Sequence, residues 1–416
     1  MYEDITKLKQ HVNIAAWRRG SMEVSKSSAE YLGLRRFVRG NWVIASSSSE
    51  ADLSRLKELV HSLSRNITCC TSSELEEADF CSGVSSVGEE VDLSELVSIV
   101  REIAALLGGA GEVIATSTYI ERSIESSEFS CTEFKGVSEL SIFAEEKSYG
   151  KYAVASFSIA VTGNLRSVMS VIEEVVEDLS FRAASQLRAK ALSPLNVGKW
   201  VLVLDYELAG ALFHELAHLL EGDRGEHLIP GQDLGVKWLN VSDDPLATLS
   251  PASTSFDDEG VRSKRKYLIV NGVVTELLHT RSSAFRFKKA GFKATPGQAR
   301  GLFHVPKAMH STLTIAPGDW RLREIIEETK KGLYAKGLIR AELRGGLVTI
   351  IPENVWIINR GEVGDPIFVR QIKIPLIKGL RSVDAVSRDV KLRYSYEKGH
   401  VVAEVAPAVR MLGYVE

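Results

Sequence analysis

The sequence predicts an α+β protein with two unlike halves. In the first half, residues 51–66 place apolar side chains at helical spacing, and residues 34–46 alternate around a Gly-Asn turn that is typical of a hairpin. After residue 193 the pattern changes to short β-branched runs separated by glycine, proline or asparagine. We therefore expect an α/β-type N-terminal domain, residues 1–193, with helices on a mostly antiparallel sheet. The C-terminal domain, residues 194–416, is expected to be predominantly β, a barrel or a sandwich.

Two further helices are predicted in the first half. The first covers residues 91–109, with Asp92 or Ser94 as its N-cap. The second is a long amphipathic helix over residues 165–192, which Pro194 ends. Between them lie two β-rich stretches, so these helices have a sheet to cover.

Two helices are expected to interrupt the β-rich half. One spans residues 208–222 and is apolar along most of its length, while the other spans residues 319–337. The first of these helices also carries the only motif with clear chemistry.

Composition limits the classes of partner. The chain has 416 residues, of which 44% are hydrophobic and 25% charged, and its formal net charge is −3. This balance creates no general field for nucleic acid or an anionic membrane, so we expect neither as a partner. Charges interrupt residues 1–17, and no apolar run reaches the length of about 18 residues that a membrane helix needs. We therefore expect a cytoplasmic protein.

The cysteines suggest a reducing compartment. Only Cys69, Cys70, Cys81 and Cys131 are present, and adjacent cysteines such as the first two pair poorly. We expect buried thiols. The alternative is a metal site that joins Cys81 with Cys69 or Cys131, although this spacing matches no common zinc pattern.

The segment from His214 to His218, with the sequence His-Glu-Leu-Ala-His, lies within the apolar helix. Residues four apart on an α-helix are rotated by only about 40°, so both imidazoles project from one face. Such a pair can bind one zinc ion, and the adjacent Glu215 can take a proton from water at that ion. The alternative is a chance match whose polar groups are solvated, but burial in so apolar a helix disfavours it. We therefore predict His214 and His218 as metal ligands and Glu215 as general base.

Residues 194–223 resemble the TldD/PmbA family of peptidases. In that family a proline, a short strand and a metal-binding helix ending in Glu-Gly-Asp occur in this order, as they do here. The run from Phe256 to Gly260, with its Asp-Asp-Glu-Gly string, is a second specific similarity. Weaker similarities keep the same order along nearly the whole chain: residues 34–47, Ser126 to Phe129, Asn271-Gly272 and Gly345-Gly346.

Two departures from the family concern the metal ligands. Members usually have one more residue between the histidines, and their third ligand is a cysteine near the C-terminus, whereas no cysteine follows Cys131 here. His400 lies in the corresponding stretch and is our first candidate for that ligand, with Asp223 as the alternative. Glu221 lies too far along the helix and is expected to support the site instead. Residual candidates are His227, His304 and His310.

The acidic run from Asp257 to Glu259 is a secondary feature. We interpret it as a solvated loop before a hairpin. The alternative, favoured by the resemblance, is a site for a divalent cation or a substrate amine.

The resemblance implies a zinc-dependent peptidase that acts on peptides or unfolded segments inside a dimer cavity. The dimer would be a homodimer or a heterodimer with a family paralogue, and the histidine motif assigns this chain to the catalytic side. The alternative is a regulatory, non-catalytic partner whose metal site has decayed. Modulation of DNA gyrase follows only from the family's historical naming, and the neutral charge balance gives it no support.

Overall fold

The structure is a computed structural model, and it describes residues 2–48, 52–68, 74–108, 111–148, 150–193 and 197–416. The first sheet is built from β1 (Tyr2–Arg18), β2 (Ser21–Val38), β3 (Asn41–Ser48), β4 (Gly83–Val87), β5 (Glu112–Ser126), β6 (Ser130–Ser148) and β7 (Lys151–Thr162). Its helices are α1 (Leu53–Arg65), α2 (Leu93–Leu106) and α3 (Met169–Arg188), the last preceded by a 3-10 turn, Leu165–Val168.

The second half contains more and shorter strands. These are β8 (Lys190–Ala191), β9 (Gly198–Leu204), β10 (Val241–Asp243), β11 (Lys266–Val270), β12 (Val273–Val274), β13 (Ala299–Arg300), β14 (Lys307–Ala308), β15 (Thr312–Ile315), β16 (Lys331–Arg344), β17 (Leu347–Asn359), β18 (Glu362–Phe368), β19 (Ile372–Pro375), β20 (Ala385–Glu397) and β21 (His400–Val415). The helices are α4 (Tyr206–Ala217), α5 (Arg281–Lys289), α6 (Leu322–Glu327) and α7 (Leu376–Arg381).

The first sheet has seven strands in the order β3-β2-β1-β5-β6-β4, and β7 also pairs with β6. All pairs are antiparallel except β4 with β6. The predicted hairpin is formed by β2 and β3, but its turn residues are Arg39 and Gly40, both with positive φ. Left-handed backbone at both positions is the type I′ geometry that suits a two-residue hairpin.

Helices α2 and α3 cover this sheet. Asp92 caps α2 by accepting a hydrogen bond from the backbone N–H of Glu95 at 2.9 Å, which confirms one of the two predicted caps. The apolar faces of both helices pack on β1, β5, β6 and β7 in one buried cluster. The predicted antiparallel sheet with helices on it is therefore confirmed. The predicted end of the first helix, Gly109, lies outside the described residues. The second helix was predicted to reach residue 192, which is wrong: α3 ends at Arg188, and Lys190–Ala191 form β8 instead.

The second half contains a closed barrel. Strand β21 pairs with β9, β9 with β16, β16 with β17, β17 with β19, and β19 again with β21. Strands β8, β10, β11, β12, β15, β18 and β20 extend this sheet beyond the ring, whereas β13 and β14 form a separate two-stranded sheet. The predominantly β architecture expected for this half is confirmed, with a barrel rather than a sandwich. Strand β8 pairs with β18, so strand pairing crosses residue 193, and the division into domains at that residue stays a prediction.

Helix α4 follows β9 directly and is buried on nearly every side. Asp205 caps it by accepting from the backbone N–H of Leu208 at 3.0 Å, and a 3-10 turn, His218–Leu220, continues it. Its apolar residues pack against β16 and β21 in the core of the second half. Because the helix lies inside this core, any polar side chain on it must find a partner there.

The prediction of a single helix over residues 319–337 is wrong. Only Leu322–Glu327 is helical, and the chain then enters β16 at Lys331. Strand β16 pairs with both β9 and β17, so the sheet satisfies its backbone on two sides. Long-range pairing overrides the helical tendency of this segment, which Gly332 and Gly337 already weaken.

The acidic run is not a solvated loop, so that interpretation is wrong. Asp257, Asp258 and Glu259 are each no more than 5% exposed. Asp258 bonds the Arg122 guanidinium of β5 at 2.6 Å, and Glu133 of β6 bonds the same guanidinium at 3.0 Å. These contacts join the first sheet to the loop that precedes β11, so the run connects the two halves of the molecule.

The expectation of buried thiols is also wrong, because Cys81 and Cys131 form a disulfide. Cys69 and Cys70 lie outside the described residues. Disulfides are typical of oxidising compartments, so cysteine usage no longer supports a reducing one, and the cytoplasmic location stays a prediction. Within the described ranges, no helix is long and apolar enough to cross a membrane.

Candidate metal centre

The end of α4 brings the three motif residues together. His214, Glu215 and His218 each offer a ligand atom, and these atoms lie within 4.8 Å of one another. The two imidazole ring centroids are 5.0 Å apart. The predicted single-face geometry is therefore present, at a site where Glu215 and His218 are each 7% exposed.

Each of the two histidines is oriented by a carboxylate. His214 Nδ1 lies 2.7 Å from Glu404 Oε1, and His218 Nδ1 lies 2.8 Å from Glu221 Oε1. An ionised carboxylate only accepts hydrogen bonds, so each Nδ1 carries the proton and each Nε2 keeps a free lone pair. Carboxylate partners of this kind fix histidine ligands at metal sites. Glu221 therefore contacts His218, and its role in supporting the site stays a prediction.

Glu404 of β21 is fully buried and holds several partners. Besides His214, it accepts hydrogen bonds from Arg393 at 2.7 Å and from His310 Nε2 at 3.1 Å. Burial would raise the pKa of the Glu404 carboxyl, but Arg393 and His214 outweigh that effect and hold the pKa well below its usual range. Burial would likewise lower the pKa of His214, and Glu404 raises it above the ordinary value. Glu404 is therefore a stable anion behind the first histidine.

A second group of possible ligands shares His214. His214, His310 and Glu404 offer atoms that also lie within 4.8 Å of one another. The Nδ1 atom of His310 is buried and has no hydrogen-bond partner among the described residues. In the present arrangement, Glu404 uses one oxygen for both imidazoles, so this group acts as a support behind His214.

Glu215 is held at one oxygen. Its Oε2 accepts a hydrogen bond from the backbone N–H of Leu343 in β16 at 2.8 Å. Since a carboxylate has two oxygens and about four lone-pair sites, this bond fixes the side chain and leaves acceptor capacity for a proton.

The predicted third ligands, His400 and Asp223, have other hydrogen-bond partners. His400 Nε2 is 3.3 Å from His304 Nε2, and Asp223 Oδ2 accepts from the backbone N–H of Ala308 at 3.0 Å. Neither residue belongs to the two ligand groups found among the described residues. His227 Nδ1 lies 2.9 Å from the carbonyl oxygen of Leu228. The third ligand therefore stays a prediction.

Two carboxylates near the site escaped the sequence analysis. Glu404 had a detectable signal, since it is the one charged residue in an otherwise apolar run, residues 401–409. Glu397 ends β20, directly opposite His400 in the hairpin. Burial raises the pKa of Glu397, but Lys398 and then His218 and His214 lower it more, so the net pKa is below its usual value. Glu397 thus carries its negative charge close to both histidines.

The residues present fit a zinc ion. Two imidazole nitrogens with free lone pairs and nearby carboxylate oxygens are the donor types that zinc prefers. The orienting carboxylates meet the usual requirement that the other ring nitrogen be hydrogen-bonded.

Sequence comparison finds that this chain is similar to proteins named metalloproteases. A metalloprotease of Methanocaldococcus jannaschii is 31% identical over 224 residues, which are 52% of this chain and 48% of that protein. A Saccharolobus solfataricus protein named zinc metalloprotease TldD homolog is 25% identical over 225 residues, which are 52% of this chain and 50% of that protein. These alignments span about half the length of the curated relatives.

The fold and the family are both recognised. The crystal structure of TldE from Thermococcus kodakarensis superposes with a TM-score of 0.79, at 15% identity, over 100% of this chain and 96% of that chain, which shows a shared fold. A sequence model described as the PmbA/TldA metallopeptidase C-terminal domain matches residues 197–411, more than half of the chain. This chain therefore belongs to the PmbA/TldD family.

Proposed function

We propose that the protein is a zinc-dependent peptidase whose metal is bound by His214 and His218. The observation that carries the proposal is the pair of carboxylates behind the imidazoles, at 2.7 and 2.8 Å, which leaves both Nε2 lone pairs free. Two histidines held in this way, with a carboxylate beside the first, supply two of the three protein ligands and the general base that zinc-dependent hydrolysis uses. The metalloprotease names of the relatives support the same reaction class.

The chemical roles of the metal and of Glu215 follow from what each group can do. When bound, zinc would polarise the substrate carbonyl and lower the pKa of water at the site. Glu215 accepts the proton of the attacking water and returns it to the departing amine. The Leu343 N–H bond to Oε2 keeps this carboxylate in one position during both transfers.

For the third protein ligand we propose the tip of the β20–β21 hairpin. It carries His400, the candidate from the sequence, and Glu397, whose charge lies close to both motif histidines. Asp223 is the remaining candidate. Zinc affinity after His400→Ala, Glu397→Gln and Asp223→Asn separates the three, because loss of a true ligand weakens binding far more than loss of a neighbour.

For substrate and assembly we propose peptides or unfolded segments, cleaved inside a cavity that a dimer encloses. The dimer is a homodimer or a heterodimer with a family paralogue. An enclosed site admits a flexible chain and excludes a folded domain. A second candidate function, a regulatory partner with a decayed site, is favoured by the absence of any cysteine after Cys131.

The deciding experiment is metal analysis of the purified chain beside His214→Ala and His218→Ala. Near-stoichiometric zinc in the parent and its loss from both variants, with unchanged circular dichroism, is the expected result. Zinc retained by both variants would refute the assignment. A parent that binds no zinc would favour the regulatory candidate.

A further inference from the structure

A cavity of about 460 Å³ lies between the first sheet and the second half of the molecule. Its floor is formed by one face of β1, β5 and β6, and its roof by residues 252–258, residues 300–304 and the tip of the β20–β21 hairpin. Cavities of this size bind small molecules, and it lies where the two halves meet, which is a common position for such sites.

The carboxylates that line this cavity already have donors. Glu133 accepts from Arg122 at 3.0 Å and from the backbone N–H of Ser255 at 2.6 Å, and Asp258 accepts from Arg122 at 2.6 Å and from the backbone N–H of Gly301 at 2.7 Å. Glu139, the third, accepts from two tyrosine hydroxyls of β20. The three carboxylates of the cavity wall therefore already accept hydrogen bonds within the protein.

Two hydrogen-bond donor groups of the cavity wall, on Lys135 and Arg300, have few or no acceptors within the described part of the protein. The Lys135 ammonium makes no hydrogen bond or ion pair within the described ranges, and the Arg300 guanidinium makes one side-chain hydrogen bond there, to Ser311 Oγ at 2.6 Å. Lysine offers three N–H donors and arginine five, and neither can accept. A ligand that satisfies this wall must therefore supply acceptor oxygens.

The pKa of Lys135 also indicates a ligand that supplies negatively charged acceptor oxygens. Burial lowers the pKa of the Lys135 ammonium to about 7, although nearby Glu133 opposes the shift. Arg300 lies close enough to lower it further. The carboxylates that oppose the shift, Glu133 and Asp258, already bond Arg122, so an anionic ligand would favour the charged form of Lys135 more than a neutral one would.

The wall also has an apolar part, beside polar residues such as Gln10 and Thr118. It includes Leu8 of β1, Ile120 of β5, Val137 of β6, and Leu302 and Phe303 of the roof. The imidazoles of His304 and His400 line it as well and are 3.3 Å apart, so they contact each other. A ligand with an anionic end and an apolar body would place its anionic end at Lys135 and Arg300 and its body against the apolar side chains.

We propose that this cavity, the Lys135 cavity, binds a small organic carboxylate with an apolar body, whose oxygens accept hydrogen bonds from Lys135 and Arg300. Two sources share this chemistry: a free branched-chain carboxylic acid and the C-terminal residue of a peptide. Neither Lys135 nor Arg300 is a proposed metal ligand, although His400, a candidate for the third ligand, also lines this cavity. The test of the proposal does not depend on peptidase activity.

Calorimetric titration of the full chain with two matched pairs of probes tests the proposal. The pairs are 4-methylpentanoate with 4-methylpentanamide, and N-acetylleucine with N-acetylleucinamide. Each carboxylate is expected to bind at least about tenfold more tightly than its amide, since charge-assisted hydrogen bonds are the stronger kind. Tight binding of 4-methylpentanoate identifies a free acid as a sufficient ligand, whereas binding of N-acetylleucine alone identifies the peptide terminus. Equal binding of acid and amide, or binding of neither acid, overturns the proposal.

Variants locate the binding. Lys135→Gln is expected to weaken both carboxylates about tenfold, while Lys135→Arg retains the preference for acid over amide. The control is Lys147→Gln, on the same strand with a side chain that is 72% exposed, which should leave binding unchanged. If Lys135→Gln folds as the parent does by circular dichroism and binds the acids equally well, the carboxylates bind elsewhere, for example at the metal, and the proposal is wrong.

Discussion

His214 Nδ1 lies 2.7 Å from Glu404 Oε1, although the two residues are 190 positions apart in the chain. One belongs to helix α4 and the other to strand β21, so the hydrogen bond connects the helix that carries the motif to the wall of the barrel. The orientation of the first predicted ligand therefore depends on the barrel being closed.

Removing the charge of Glu404 should weaken metal binding without touching a proposed ligand. Glu404→Gln is expected to reduce zinc affinity by about 10- to 100-fold, because loss of an orienting carboxylate has effects of this size at metal sites. Competition with a chelator of known affinity measures the change. Glu362→Gln, at an exposed position of β18, is the control and should bind zinc like the parent. Equal affinity in the two variants would show that Glu404 does not orient a ligand.

Glu215→Gln should separate metal binding from catalysis. The glutamine oxygen can still accept from the Leu343 N–H, so the fold and the zinc content should persist. Peptide hydrolysis should fall by about a hundredfold to ten-thousandfold, since an amide cannot take the proton of water. Turnover of a fluorogenic peptide, with zinc content measured on the same sample, gives the result. A variant that turns over like the parent removes Glu215 from the mechanism.

Glu259 should make the stability of the protein depend on pH. Burial, and then the nearby Asp257, raise the pKa of Glu259 from 4.5 to about 8. Between these values the folded state holds a proton that the unfolded state has lost, so the contribution of Glu259 to stability declines as the pH rises and is gone above the folded pKa. Glu259→Gln stays neutral throughout. Urea unfolding of parent and variant from about pH 5 to about pH 9 should show the parent losing free energy of unfolding relative to the variant. If the free energies of unfolding of the parent and the variant change in parallel with pH, the raised pKa of Glu259 is contradicted.

Arg122 should be critical where the two halves meet. Arg122→Met leaves Glu133 and Asp258 buried without their cation, and loss of one partner from a buried ion pair costs about 3–5 kcal/mol. Denaturant unfolding measures this difference. The matched control is Arg323→Met, where the side chain is 87% exposed and the expected change is within about 0.5 kcal/mol. Similar losses in both variants would argue against a special role for the Arg122 network.

The sequence predicted the features that depend on local pattern. Helix α4 carries its capping residue and its apolar run within a short segment, and the spacing of His214 and His218 already places both on one face. Strand β17 follows β16 directly after Gly345-Gly346, but the parallel partner β9 lies far earlier in the chain, and β16 was missed. Sequence pattern alone does not contain that information.

The contacts of the charged residues could not be predicted either, because they join residues that are distant in the chain. Asp258 looks like part of a solvated loop until Arg122, 136 positions away, is brought beside it. Glu404 carried a signal, a lone carboxylate in an apolar strand, but its partners His214 and Arg393 become evident only when the barrel is closed. The placement of His400 beside His304 likewise depends on how the hairpin packs on residues 300–304.

Strand β21 lies inside its sheet, where it pairs with β9, β15, β19 and β20. During synthesis, β9 and α4 leave the ribosome about two hundred residues before this strand does. Until then the barrel has a gap, and the apolar residues of α4 that pack on β21 remain uncovered. The nascent second half is therefore expected to remain partly folded until β21 has been synthesised. Zinc binding, which needs Glu404 behind His214, would begin only after the last strand has been inserted.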